Sequence, residues 1–310
     1  MGRTKKGRKA LFCWLNIQTM RIFRHTPLDS MLVAQVAVLI LLPFVMTNVS
    51  FVWWLLVWPI HWFILLNVLN TSLHHHTHWG TFNNVYLEAT YELLLSAASG
   101  MSAQQYRRGH TIHHKYVNDL PVDGRTRDPI SVFLRGQQGQ RENVWLFCAH
   151  GLWFAITVSW LAILSQFRLV RQPELSFMRK SAWQREQWAV VAWPVLVMCV
   201  DWQYGLWMLL AVYWPALFVN YSWHYGEHYG AHHLRGDTTR DSVGIYNVWY
   251  NRLCFASGYH QEHHHRPGIH WSKLADTVTP MLPQDRVRVG GMHWLNCPWW
   301  ADLRRVLRLS

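Results

Sequence analysis

The sequence predicts an all-α, multi-pass membrane protein: about four transmembrane helices in two hairpins, with a cytoplasmic histidine-rich helical cap. Three observations lead there. Hydrophobic residues make up 51% of the 310-residue chain and charged residues only 15%, against roughly 25% in ordinary soluble domains. Several long apolar runs hold no Asp, Glu, Lys or Arg. Tryptophan (21) and histidine (20) are over-used, and the histidines come in clusters. So apolar a chain is not disordered. Its low charge also argues against a soluble enzyme with a basic patch, and no nucleic-acid partner is expected despite a net charge of +12.

Residues 1–29 form a basic arm with Arg3, Lys5, Lys6, Arg8, Lys9, Arg21 and Arg24. The first long apolar run starts only near Met31 and no small-residue cleavage site follows it, so the arm reads as a cytoplasmic anchor, not a secretory signal. Lys6 stands where N-myristoylation requires Ser or Thr. The runs at about 31–47 and 51–69 are each near the roughly 20 residues that cross a bilayer. Only residues 47–50 separate them, so they form a tight hairpin. His61, alone inside the second run, reads as a buried, hydrogen-bonded side chain. Residues 70–186 are expected to be cytoplasmic or interfacial. Within them, 84–99 carries Glu88 and Glu92 on one helical face, the pattern of an amphipathic surface helix.

Three further apolar runs follow, at about 145–165, 187–201 and 205–220. Between the first two lie Arg168, Arg171, Arg179, Lys180 and Arg185. The positive-inside rule makes that loop cytoplasmic. Residues 187–220 then form the second hairpin, turning near 201–205, and 145–165 is left interfacial or re-entrant. All 29 Lys and Arg residues fall on one side in this arrangement. The tail, 221–310, is a polar, basic cap that ends in Arg304, Arg305 and Arg308. The whole chain reads as a single domain. Five scattered cysteines (Cys13, Cys148, Cys199, Cys254, Cys297) include no CxxC pair. They read as free thiols in a reducing compartment.

The histidines occupy four places. His74 and His78 frame His74-His75-His76-Thr77-His78, just after the first hairpin. His110, His113 and His114 form an HxxHH box, and His260, His263 and His264 form another. Asn220 and His224 lie four apart at the end of the second hairpin. Positions i, i+3 and i+4 share a helical face, so each group presents several donors together. Nine imidazoles and an amide exceed the about four ligands of one zinc. They suit two metal ions of higher coordination, and imidazole binds iron as well as zinc. A zinc metalloprotease would need HExxH, but position 75 is His. A metal transporter would place ligands inside its spans, and these clusters lie outside them.

This spacing resembles the integral-membrane fatty acid desaturase and hydroxylase superfamily, whose signature is three histidine boxes. The resemblance runs from about residue 31 to residue 275. Gly258-Tyr259-His260-Gln261-Glu262-His263-His264, followed by Arg266-Pro267-Gly268, is similar to the last box of bacterial acyl desaturase-like proteins, and carotenoid ketolases look similar there. Asn220-Tyr221 with His224-Tyr225-Gly226 is similar to the matching element of membrane alkane hydroxylases. Asn118-Asp119 and Asp128 fit an acidic follow-on to the second box.

The resemblance implies a non-haem diiron centre, two iron ions with dioxygen as co-substrate, on the cytoplasmic side of a bacterial inner membrane more than of the endoplasmic reticulum. Carried over, the ligands are His74, His78, His110, His113, His114, His224, His260, His263 and His264, with Asn220 holding a metal-bound water. His75 and His76 stand where relatives often carry an acidic residue. His75, His76, His228, His232, His233 and His265 remain as supporting or solvated side chains. Asp119, Asp128, Glu227 and Glu262 are candidates to orient ligand rings through the second ring nitrogen. Arg107 and Arg108 are candidates to meet an anionic substrate headgroup or, foremost, a lipid phosphate. The implied activity is C–H oxidation of an apolar lipid, foremost desaturation of a fatty acyl chain. Hydroxylation, oxidative decarboxylation and carotenoid oxygenation remain open, as does a non-catalytic metal-binding or transport protein. No HPGG motif or cysteine cluster supplies electrons from within. An external donor is therefore expected, a ferredoxin, rubredoxin or cytochrome with its reductase.

Overall fold

The computed structural model describes residues 22–133, 141–167, 180–228, 231 and 241–277. Most of the basic arm, residues 168–179 of the basic loop, His232, His233, and the tail beyond Thr277 with its three arginines lie outside the described residues. Among the described residues every regular element is helical, and strand-like pairing is limited to the isolated bridges Phe23–Phe82 and Val122–Arg125.

The first hairpin joins α1 (Asp29–Met46) to α2 (Phe51–Trp79). Its turn is closed by Thr47 and Asn48, whose side chains both donate to the Phe44 carbonyl. Trp54 Nε1 ties the arms by donating to the Met46 carbonyl at 2.8 Å. Lipid-facing positions such as Val52, Leu56 and Ile60 are exposed, while Trp54, Leu65 and Leu69 enter the core. His61 is buried, but its Nε2 finds no hydrogen-bond partner among the described residues. The core positions beside it on α2, Trp54 and Leu65, are apolar.

At 29 residues, α2 is about 44 Å long, well beyond a hydrocarbon core of roughly 30 Å. So long a helix has room both to cross an apolar layer and to project beyond it, and its polar end is the one that bears His74 and His78. A π-helical turn, Val68–Ser72, interrupts α2 just before these histidines. Such turns locally re-aim the side chains that follow.

Helix α3 (Val85–Ser99) starts on Asn84, whose side chain accepts from the Tyr86 and Leu87 amides. It ends on Gly100 at φ +71, a left-handed cap that glycine adopts without strain. Helix α4 (Ala103–Tyr116) carries the second box and is capped by Ser102. Helix α5 is Val144–Gln166, and α6 is Lys180–Val200. Residues 202–228 form α7, made of Trp202–Trp207, a π-helical Met208–Tyr213 and Trp214–His228. Two short helices follow, α8 (Val248–Leu253) and α9 (His260–His265).

Three described helices are long and apolar enough to cross a membrane: Asp29–Met46, Phe51–Trp79 and Val144–Leu164. The last lies in α5, which the loop charges put at the interface. Charge bias counts the flanking loops, whereas length and apolarity count the helix itself, and for α5 the two criteria part. The helices of the second hairpin carry more polar residues (Gln184, Glu186 and Gln187 in α6; Asn220 and His224 in α7) and are not among the three. The expected surface helix α3 packs closely against α6 and α1, burying Tyr91, Leu95 and the run from Ser96 to Ser99.

Helices α5 and α7 pack closely. Gly151 of α5 faces the Tyr221 ring, and a Cβ at Gly151 would clash with Cγ, Cδ1 and Cδ2 of that ring. Gly151→Ala is expected to destabilise the protein by about 1–3 kcal/mol, the cost of overpacking a filled core. Thermal unfolding in detergent checks this, and an unchanged midpoint would refute the contact.

Candidate metal centre

The histidine boxes meet at the ends of α2, α4, α7 and α9. Two sets of ring nitrogens form there. The first is His74, His78, His110, His114 and His263, and the second is His113, His228 and His264. Within each set the donor atoms lie within 4.8 Å of one another.

In the first set the Nε2 atoms point inward. His110 Nε2 lies 2.8 Å from His78 Nε2 and 3.0 Å from His114 Nε2. His263 Nε2 lies 3.0 Å from His74, 3.1 Å from His78 and 3.2 Å from His114. Protons do not satisfy all these contacts, because a neutral imidazole nitrogen either donates a single hydrogen or accepts one. A cation at the centre would meet every lone pair at once. In the second set His113 Nε2 lies 3.1 Å from His228 Nε2. The buried His264 Nε2 has no hydrogen-bond partner among the described residues. An orphaned buried nitrogen beside two others fits a metal ligand. The donor set is all imidazole, which suits iron, zinc or copper over magnesium or calcium.

Helices α4 and α9 each serve both sets. His110 and His114 share a face, while His113 lies about 100° round the helix from His114 and enters the second set. The three-nitrogen face expected of the second box is thus divided, and so is that of the last box, with His263 in one set and His264 in the other. The sets share a wall, where the His114 and His264 rings stack with centroids 4.3 Å apart.

His75 and His76 turn away from both sets. His75 Nε2 lies 3.1 Å from the Phe255 carbonyl. His76 bonds Thr81 Oγ1 and Glu92 Oε1. His260 stands at the edge of the second set, its Nε2 3.4 Å from His228 Nε2 and 3.7 Å from Glu227 Oε2. His224 is half-buried, with Nε2 3.2 Å from the Ile130 carbonyl and its ring 4.8 Å from that of His228. Asn220, a turn earlier on the same helix, is half-buried. The sequence reading left His228 among the supporting histidines, yet it is wholly buried in the second set. The available signal was its place four residues after His224, on the same helical face.

The four acidic candidates do different things. Asp128 is buried, accepts from His113 Nδ1 at 2.9 Å, and also accepts the Asn118 and Ile130 amides. It fixes the His113 tautomer and leaves Nε2 free to face the set. Asp119 holds the same loop by accepting from Arg127 and from the Asp128 amide. Glu227 approaches His260, and Glu262 accepts from the Tyr246 hydroxyl. An unforeseen residue, Asp241, accepts from His228 Nδ1 through its carbonyl, and its carboxylate lies 3.4 Å from His264 Nδ1 without forming a hydrogen bond. Arg107 pairs with Glu92 at 2.8 Å, and Glu92 thereby joins α4 to His76.

Burial pushes the imidazoles of His110, His114, His263 and His264 well below the ordinary histidine pKa, and neighbouring imidazoles push the same way. They are neutral rings with free lone pairs, the form that binds metal.

Fold and donors define a helical membrane protein with two adjoining histidine sets fit to hold metal. The family model described as fatty acid desaturase matches residues 52–295, and the chain belongs to that family. No curated protein and no solved structure matches the chain.

His228→Ala is expected to empty the second set and leave the first loaded, halving metal content by elemental analysis. Undiminished metal would exclude His228 as a ligand. Acid has a second expected effect. Below about pH 6.5 the unfolded chain protonates these histidines while the fold resists, so stability drains as pH falls from there. Melting of the metal-free protein should decline between about pH 7 and pH 5, and a flat profile would contradict the lowered values.

Proposed function

We propose that this chain is a dioxygen-dependent diiron oxidoreductase that desaturates a fatty acyl chain. The observation that carries the reading is the pair of nitrogen-only sets sharing α4, α9 and a stacked histidine wall. Hydrolytic metal sites need neither two such sets nor so many neutral nitrogens. Family membership supports an oxidoreductase and a lipid substrate.

Iron bound there would supply redox chemistry with dioxygen at an unactivated C–H bond. His74, His78, His110, His114 and His263 would hold one ion, and His113, His228 and His264 the other. His224 and His260 stand close enough to complete the second, with Asn220 beyond them. The Asp128 carboxylate and the Asp241 carbonyl keep Nδ1 of His113 and His228 engaged and so hold those two rings in one orientation. The surrounding burial excludes bulk water from the nitrogens. Desaturation takes two hydrogens from the chain, and reducing dioxygen to two waters needs two further electrons and two protons. An external one-electron carrier, a ferredoxin, rubredoxin or cytochrome, supplies those electrons. The termini and the histidine sets lie on the cytoplasmic side, in a bacterial inner membrane.

Mass spectrometry of lipids from cells expressing the chain tests this. The expected product is two hydrogens lighter than its precursor, and His263→Ala abolishes it while the protein still reaches the membrane. Gain of one oxygen would replace desaturation by hydroxylation. Metal analysis finding zinc alone, with no dioxygen uptake after iron reconstitution, would overturn the enzyme reading.

A further inference from the structure

The last histidine box rides on α9, a helix of six residues. An isolated helix needs about 12–15 residues to be even marginally stable. Yet α9 supplies His263 to one set and His264 to the other. Its position must be imposed from outside.

Two ties bracket it. On the near side, Phe255 and Ala256 sit at φ +48 and +62, a left-handed region that residues other than glycine seldom adopt. Such strain persists only where the surroundings hold it. His75, buried in α2, places Nε2 3.1 Å from the Phe255 carbonyl. On the far side, Trp271 Nε1 donates to Asp29 Oδ1 at 2.9 Å, and His270 Nε2 lies 3.4 Å from the same oxygen. Asp29 is 2% exposed, in the first turn of α1. The ties touch each other, since the His75 and Trp271 rings are parallel within 6° at 5.7 Å. Phe255 completes the group, edge-on to Trp271.

We propose that Asp29 and His75 are positioning residues that clamp the last box from both sides and so set where His263 and His264 stand. The proposal rests on the metal-centre reading above. It gives the extra histidine of the first box and the buried carboxylate of the first helix a joint task. Neither side chain belongs to a ligand set. Each acts through the backbone or indole that flanks α9.

The test uses the purified full chain in detergent, metal-free, titrated with Co2+ and followed by its visible spectrum. Asp29→Ala, His75→Ala and Trp271→Phe should each bind Co2+ roughly 10- to 100-fold more weakly, as losses of supporting contacts at metal sites do. The spectrum should change with them. Trp271→Phe removes one N–H donor and keeps a ring against His75, so it leaves the fold least disturbed. Asp29→Asn, which keeps an acceptor oxygen for the indole, should restore most of the affinity and the wild-type spectrum. Unchanged affinity and spectrum in the three variants would overturn the clamp. So would a fall in metal-free melting temperature large enough to explain the whole loss. If the wild-type chain itself binds no Co2+, the metal-centre reading fails and the clamp with it. Wild-type binding beside unaffected variants strikes the clamp alone.

Discussion

Imidazole nitrogens crowded together away from water are the constraint on which the rest of this structure depends. His78, His110, His114 and His263 form a ring of Nε2 contacts of 2.8–3.2 Å. Hydrogen bonds do not satisfy that ring, because each neutral nitrogen has one hydrogen or one lone pair to offer. Protonation is opposed by burial and by the neighbouring rings. A bound cation resolves the conflict and would contribute folding free energy as it does so. The second set adds the buried, unpartnered His264 Nε2 and a His113 whose other nitrogen is held by Asp128.

The helices are arranged to deliver those nitrogens. Both second arms, α2 and α7, are long continuous helices with a π-helical turn ahead of their histidines. The two helices thus share a device, although their sequences show no similarity and α6 packs mainly against α3 and α5 rather than along α7. Helix α4 is fixed from a distance. Glu186 of α6 accepts from Ser102 Oγ at 2.6 Å and from the Gln104 amide at 2.9 Å, so a carboxylate on one helix caps the start of another. Glu92 of α3 bridges Arg107 of α4 and His76 of α2. The second box is therefore anchored at its beginning and along its side before its histidines meet the others.

Only the last box lacks a long helix of its own. Its six residues sit between a strained turn and the Asp29–Trp271 contact, and both restraints come from the first hairpin. Contacts between residues 242 positions apart join the beginning of the described chain to its end. Helix α9 contributes to each set, so this closure adjoins both.

Much of this was legible in the sequence. Uncharged runs of spanning length indicated helical hairpins, because a bilayer demands apolar length and internal hydrogen bonding. Spacings of three and four indicated shared helical faces, and the histidine boxes indicated the family. Three things were not legible. Residues 110, 113 and 114 look like one face, but which neighbour each meets depends on the helices packed around them, and the box divides between two sets. His228 looked like a supporting side chain because its partners, His113 and His264, are remote in sequence. The roles of His75 and Asp29 were hidden, since their partners are a backbone carbonyl at 255 and an indole at 271. The sequence by itself determined the helical class, the donor chemistry and the boxes, because those follow from local periodicity and side-chain type. Tertiary structure alone decided which nitrogens face each other, because that depends on the crossing of helices distant along the chain.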